Sequence, residues 1–309
     1  MSALSEWAVD LGFGAGWRLV RRLPEPVARA AFRAGGDLAG RCDGPTRQLR
    51  ANLRRVVPDA SPEEFDALIR AAMRSYARYW YEAFRLPTMD HVKVHERMHA
   101  DAIGFEHMQA ALEAGRGVIV ALPHSGNWDA TAVWLIEWLR REGAPATVAT
   151  VAERLRPESL YRRFVDYRES LGLEVLPLSG GERSPYPTLA RRLNDNGVVA
   201  LVADRDLSGR GVEVSFFGEP ARMPAGPALL AARTGAALLP LSGWFTADGW
   251  GIRVQQAIPV PTVRAGRGAT QQLADALATE IAEHPVDWHM MQRVWLADMP
   301  VTQLREAVR

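Results

Sequence analysis

Cysteine occurs once in 309 residues, as Cys42. A lone thiol excludes an internal disulfide framework and a cysteine-based zinc cluster, and it points to a reducing compartment. Lysine also occurs once, as Lys93, so arginine carries the positive charge. The net charge of +1 lacks the basic excess with which nucleic-acid-binding domains neutralise phosphate, and no nucleic-acid partner is expected. Long apolar runs are missing too. The most apolar stretch, residues 226–245, is interrupted by Pro227, Arg233 and Pro240, whereas a bilayer span needs about 20 apolar residues in succession. No basic leader precedes an apolar run and a small-residue cleavage site. Membrane contact is therefore expected to be peripheral.

Several catalytic signatures are absent as well. There is no G-x-S-x-G elbow, and Ser125, next to His124, is poorly placed as a nucleophile. Gly12, Gly14 and Gly16 follow no strand and lack dinucleotide-binding spacing. His95-Glu96-Arg97-Met98-His99 spells H-E-x-x-H, which binds zinc only on a helix. Val92 and Val94 alternate with His91 and Lys93 as a strand does, and on a strand the two histidines stand roughly 13 Å apart. No metal is expected.

What is present divides the chain in two. Ten arginines lie within residues 1–57 against five acids. From Leu4 to about Ala39, Trp7, Leu11, Phe13 and Trp17 are interleaved with arginines, a pattern that suits an amphipathic helix on an anionic membrane surface. Ser61, Pro62 and Glu64 open a second long helix over 61–86. We expect residues 1–88 to form a helical, membrane-associating part. Residues 89–309 are expected to form an α/β core, the two making one compact unit.

In the core, strand patterns over 117–122, 146–151, 174–178, 198–203, 212–217 and 237–241 alternate with helix patterns over 128–140, 157–171, 187–194, 227–234 and 271–283. The fold class is α/β, with a central, mostly parallel sheet covered by helices.

The sharpest signal lies at the first of these strands. VIVALPHSGNWDATAVWL carries a buried strand to Pro123, then His124, Ser125, Gly126, Asn127, Trp128 and Asp129 at a helix start. Sites form at the carboxyl ends of strands in open α/β sheets. Asp129, five positions after His124, is placed to fix the imidazole tautomer, and amides near Gly126 and Asn127 lie where an oxyanion would form. Of the seven histidines, no other has an aspartate five residues on. Two charged groups share the same edge. Asp204, Arg205 and Asp206 follow one strand; Glu153, Arg154 and Arg156 follow another, with Arg168 on the next helix. Arg168 is a candidate phosphate ligand. Asp204 is a candidate for a sugar hydroxyl or an alternative partner of His124.

LPHSGNWD, TVAERLRPESLYRRFVDYRESLG, LVADRDLSGRGVEVSFFGEPARMPAGPALLA and PVDWHMMQRVW together resemble the bacterial lipid A biosynthesis acyltransferase family, with its glycerolipid-acyltransferase-like H-x4-D signature. Within it they are similar to the actinobacterial branch that acylates phosphatidylinositol mannosides. The resemblance runs from about residue 90 to 296. It implies acyl-CoA as donor substrate, palmitoyl by preference, with no cofactor. It also implies a mannose hydroxyl of a phosphatidylinositol mono- or dimannoside as acceptor, at the cytoplasmic face of the inner membrane. By motif, His124 corresponds to the general base and Asp129 to the H-x4-D acid, and Asp204 is the third catalytic candidate. Glu153, Arg168, Arg205, Asp206 and Asn127 are candidate substrate-binding residues. The branch carries a glutamate where Asp204 stands, and the shorter side chain leaves open whether it meets His124 directly or through water. A lipid A-type or ornithine-lipid acceptor, or a catalytically silent lipid-binding protein, are the alternatives.

Overall fold

The computed structural model describes residue 14 and residues 16–181, 184–209 and 211–300. Trp7, Leu11 and Phe13 of the amphipathic pattern lie outside the described residues.

The helical part comprises a short helix over 16–22, α1 (Glu25–Gly40), α2 (Asp43–Val56) and α3 (Pro62–Arg85). Helix α3 begins with a capping box. Glu64 N donates to Ser61 Oγ and Ser61 N donates back to the Glu64 carboxylate, satisfying two amides that a helix start otherwise leaves open. Its buried stripe of Phe65, Ile69, Ala72, Met73 and Tyr79 follows the helical repeat and faces the core. Glycine is required at Gly36, where a Cβ would lie 2.8 Å from the Met73 carbonyl oxygen and so hold α1 away from α3. The helical part docks on the rest through polar contacts too. Asn52 Nδ2 donates to the Met290 and Gln292 carbonyls, and Arg55 bridges Glu219 and Asp298.

Beyond it come α4 (His91–His99), β1 (Ala102–Ile103), α5 (Phe105–Glu113), β2 (Val118–Leu122), α6 (Trp128–Arg141), β3 (Val148–Ala152), α7 (Glu158–Ser170), β4 (Leu173–Pro177), α8 (Tyr186–Asn194) and β5 (Val198–Val202). The hairpin β6 (Val212–Phe216) and β7 (Glu219–Met223) follows, then α9 (Gly226–Thr234), β8 (Ala237–Phe245), β9 (Trp250–Val254) and α10 (Gly266–Glu283). The main sheet has the order β1-β9-β8-β2-β5-β3-β4. Every neighbouring pair is parallel except β8 with β9. Strand β2 lies at the centre and is buried throughout. Val118, Val120 and Leu122 enter one apolar core while Ile119 and Ala121 enter the other, which is why it reads as an unbroken apolar run.

One local expectation is corrected. His91–His99 is a helix, not a strand, started by Asp90, whose side chain accepts from the Val92 and Lys93 amides. Val94 and Met98, four apart, are buried in the same core as Trp134. Four residues of alternation suit either period, and the cap with the i, i+4 burial decides it. His95 and His99 consequently stack at 5.2 Å. Among the described residues no group of three or more histidine, cysteine, aspartate or glutamate side chains could hold a metal ion. The sequence pattern gives no strand for β1, which has two residues, or for β7 and β9, each five residues long and following a short turn from its antiparallel partner.

Candidate active site

His124 follows β2 and Asp204 follows β5, adjacent parallel strands, so chain direction alone brings both to the same sheet edge. They are joined twice. His124 N donates to Asp204 Oδ2 at 2.8 Å, and His124 Nδ1 lies 2.6 Å from Asp204 Oδ1. Trp288 Nε1 donates to Asp204 Oδ2 at 2.9 Å. Asp204 is fully buried, whereas 32% of the His124 side chain is exposed. Burial by itself raises the Asp204 carboxyl. The His124 charge and the hydrogen bonds from His124 and Trp288 outweigh it, so the carboxyl sits below its ordinary range. A carboxylate on Nδ1 fixes the tautomer that leaves the Nε2 lone pair free to take a proton.

A second strand runs beside the His124 loop. Ser125 forms an antiparallel bridge with Trp288, Gly126 N donates to the Asp287 carbonyl at 2.9 Å, and His289 N donates to the His124 carbonyl at 2.8 Å. Gly126 has φ +58°, and a Cβ there would lie 2.7 Å from the Gly243 carbonyl oxygen. Only glycine fits both the left-handed backbone and that approach. The Gly126 amide is thus occupied, and the expected oxyanion role for it is corrected.

Asp129 turns away from His124. Its Oδ2 accepts from the Tyr79 hydroxyl at 2.9 Å and its Oδ1 from Arg168 Nε at 3.1 Å. The face of α6 that carries Asp129 packs against α3 and α7, which supply Tyr79 and Arg168. Burial opposes the Arg168 charge, and Asp129 more than compensates. Arg168 is therefore committed to a carboxylate instead of an open phosphate site. Tyr79 is pushed well above the ordinary tyrosine range by burial and then by Asp129, so its hydroxyl stays protonated and donating. Its ring stacks on Trp128 at 4.0 Å, and Trp128 meets the His124 ring at 5.5 Å.

Two further expectations change. Asn127 is the N-cap of α6: Oδ1 accepts from the Ala130 amide, Nδ2 donates to Glu82, and the residue is 2% exposed, which leaves no open face for substrate. Asp206 spends its carboxylate on Ser208 and on the Gly211 amide, holding its own loop. Glu153 and Arg205 do meet, at 3.0 Å, joining the ends of β3 and β5 at the edge that carries His124.

Sequence reasoning missed Trp288, Asp287, His289 and Ser75. Ser75 Oγ donates to Asp287 Oδ1 at 2.6 Å and lies 2.8 Å from His289 Nε2. Burial, followed by the His124 charge, lowers the His289 imidazole to about 3. The segment PVDWHMMQRVW belongs to the resemblance, yet nothing in it states that it lies against residue 124.

Comparison with known proteins gives the family of the chain. Residues 1–297 match the family described as bacterial lipid A biosynthesis acyltransferase. The phosphatidylinositol mannoside acyltransferase of Mycolicibacterium smegmatis is 56% identical over 290 residues, covering 94% of this chain and 92% of that protein. The proteins of the same name from two strains of Mycobacterium tuberculosis are 53% and 52% identical, each over 96% of this chain and 92% of its relative. The chain belongs to the bacterial lipid A biosynthesis acyltransferase family.

Proposed function

We propose that the protein transfers a palmitoyl-type chain from acyl-CoA to a mannose hydroxyl of a phosphatidylinositol mannoside. The observation that carries the mechanism is the partly exposed His124 imidazole fixed through Nδ1 by buried Asp204. The names of its relatives support the acceptor. In this reading, His124 Nε2 takes the hydroxyl proton as the mannose oxygen attacks the thioester carbonyl. Such assistance contributes about 10²–10⁴ in rate. Asp204 stabilises the imidazolium. The C–S bond then breaks, and the imidazolium returns the proton to the departing thiolate. No acyl-enzyme forms. Trp128 Nε1, buried without an acceptor among the described residues, is the donor assigned to the tetrahedral oxygen.

The acyl chain is assigned to an apolar groove of about 370 Å³ between α1 and α3, lined by Phe32, Met73, Tyr76, Trp80 and Phe84. Tyr76 packs at 5.5 Å from His289, and Trp80 at 5.2 Å from Tyr79, so the groove adjoins the rings beside His124. Glu153 and Arg205 are assigned to the acceptor sugar. Among the described residues no helix is long and apolar enough to cross a membrane. Peripheral attachment at the cytoplasmic face of the inner membrane, through the basic N-terminal part, completes the proposal.

The test is transfer from radiolabelled palmitoyl-CoA to purified phosphatidylinositol dimannoside in mild detergent, with wild type and His124→Ala side by side. Labelled mannoside from the wild type alone is expected. Thioester hydrolysis without labelled mannoside sends the acceptor assignment to a lipid A-type or ornithine lipid, and inactivity of both proteins favours a silent lipid-binding role.

A further inference from the structure

A second cavity, of about 500 Å³, lies between α1, α3, the turn after β8 and the segment before Trp288. His124, Asp129, Asp204, Glu153, Arg168, Arg205, Asp206 and Asn127 do not line it, whereas Ser75 and Asp287, which adjoin His289 behind the His124 loop, do. Its polar side is formed by Arg29 and Arg33, one turn apart on α1, with Arg74 and Arg78 one turn apart on α3. Arg74 pairs with Asp37. Arg78 pairs with Glu82 at 2.7 Å and donates to the Thr246 and Gly249 carbonyls, both at 2.8 Å. Arg29 and Arg33 have no acceptor among the described residues, although Glu25 precedes Arg29 by one turn.

Among the described residues the lining carries one carboxylate, Asp287, and it is already occupied. Its Oδ1 accepts from Ser75 and its Oδ2 from the Phe245 amide. Burial raises this carboxyl above its ordinary range, and both of its oxygens are turned to these donors. The cavity is therefore positive, with a floor held in place before any ligand arrives. The remaining wall, from Phe32, Ala71, Tyr81, Phe245 and Val286, is apolar. Guanidinium forks recognise phosphate oxygens, and an apolar wall beside them accepts a hydrocarbon body.

We propose that this cavity is a second ligand site, separate from His124, that binds a phosphate group carried on an apolar body. The proposal does not depend on the acyl-transfer reading, because it concerns binding alone. Phospholipid headgroups and free phosphate share the recognised chemistry, and the test separates them.

The full-length protein is titrated calorimetrically, below micellar concentration, with dihexanoyl phosphatidylglycerol, with dihexanoyl phosphatidylcholine and with inorganic phosphate. Wild type is compared with Arg29→Gln/Arg33→Gln, with Ala71→Phe, which fills the cavity without changing charge, and with Arg41→Gln/Arg47→Gln, which removes the same charge from exposed positions. The anionic lipid is expected to bind wild type and the exposed-charge variant alike, and to lose about tenfold or more in affinity in each cavity variant. Inorganic phosphate binding that is lost in Arg29→Gln/Arg33→Gln but kept in Ala71→Phe supports the phosphate half of the site and assigns its source as soluble. Equal losses in the exposed-charge variant, or equal binding of the zwitterionic lipid, overturn the proposal. So does the absence of binding by both anions. Thermal melting of each variant confirms that it is folded.

Discussion

His124 and Asp204 share two contacts, a backbone amide to Oδ2 at 2.8 Å and an imidazole Nδ1 to Oδ1 at 2.6 Å. One carboxylate thus sets both where the loop sits and which way the ring faces. Trp288 adds a third bond to the same carboxylate.

Asp204→Asn keeps the shape but offers Nδ1 an amide in place of a charge. The expected result is a fall in kcat of about 10²–10⁴ with KM little changed. Steady-state kinetics with acyl-CoA and the mannoside acceptor check it, and a fall confined to KM would remove Asp204 from the mechanism. Trp288→Phe removes one of three bonds and is expected to give a smaller loss of the same kind.

Asp129→Asn acts differently. It leaves the part-buried Arg168 guanidinium, 22% exposed, without its counter-charge, a change that costs about 3–5 kcal/mol for a fully buried pair and is expected toward the lower end here. Urea denaturation should show that loss of stability. Arg168→Met/Asp129→Leu, which removes both charges, should recover much of it. Equal stability of Asp129→Asn and wild type would show that the pair contributes nothing.

Gly126→Ala places a methyl 2.7 Å from the Gly243 carbonyl oxygen at a positive φ. Strain and overpacking together are expected to cost about 2–4 kcal/mol. The same change at Gly143, also at positive φ but with no atom within 4 Å of a Cβ, should cost less. Thermal unfolding of the two variants measures the difference.

His289 is neutral in the folded protein down to about pH 3, whereas an unfolded histidine takes up a proton near pH 6.5. Between those values the unfolded chain binds the extra proton, so stability rises with pH through this window and is lost as pH falls. The contribution approaches about 1.4 kcal/mol per pH unit well below pH 6.5. Urea midpoints between pH 7.5 and 5 should decline for the wild type and decline less for His289→Gln. Parallel declines would mean that this histidine is not the source.

The sequence by itself determined the central strand, the long capped helix α3 and the edge on which the candidate site lies. Each of these depends on neighbours in the chain: an unbroken apolar run over Val118–Leu122, a Ser61-to-Glu64 capping box, and a strand ending just before His124. It also marked Asp204, but left its route to His124 open. The strand read over His91–Val94 failed because a window of four residues cannot distinguish a period of 2 from 3.6, and the deciding burial of Val94 and Met98 comes from contact with α6. Tertiary structure alone decided the partners. Asp129, near His124 in sequence, is turned by α6 toward Tyr79 and Arg168, while Asp204, 80 residues away, is delivered by the neighbouring parallel strand. Trp288 and His289 reach the loop from still farther along the chain. Spacing along a chain reports helix faces and strand faces, but hydrogen bonds between segments depend on which strands pair, and that is settled only when the sheet assembles.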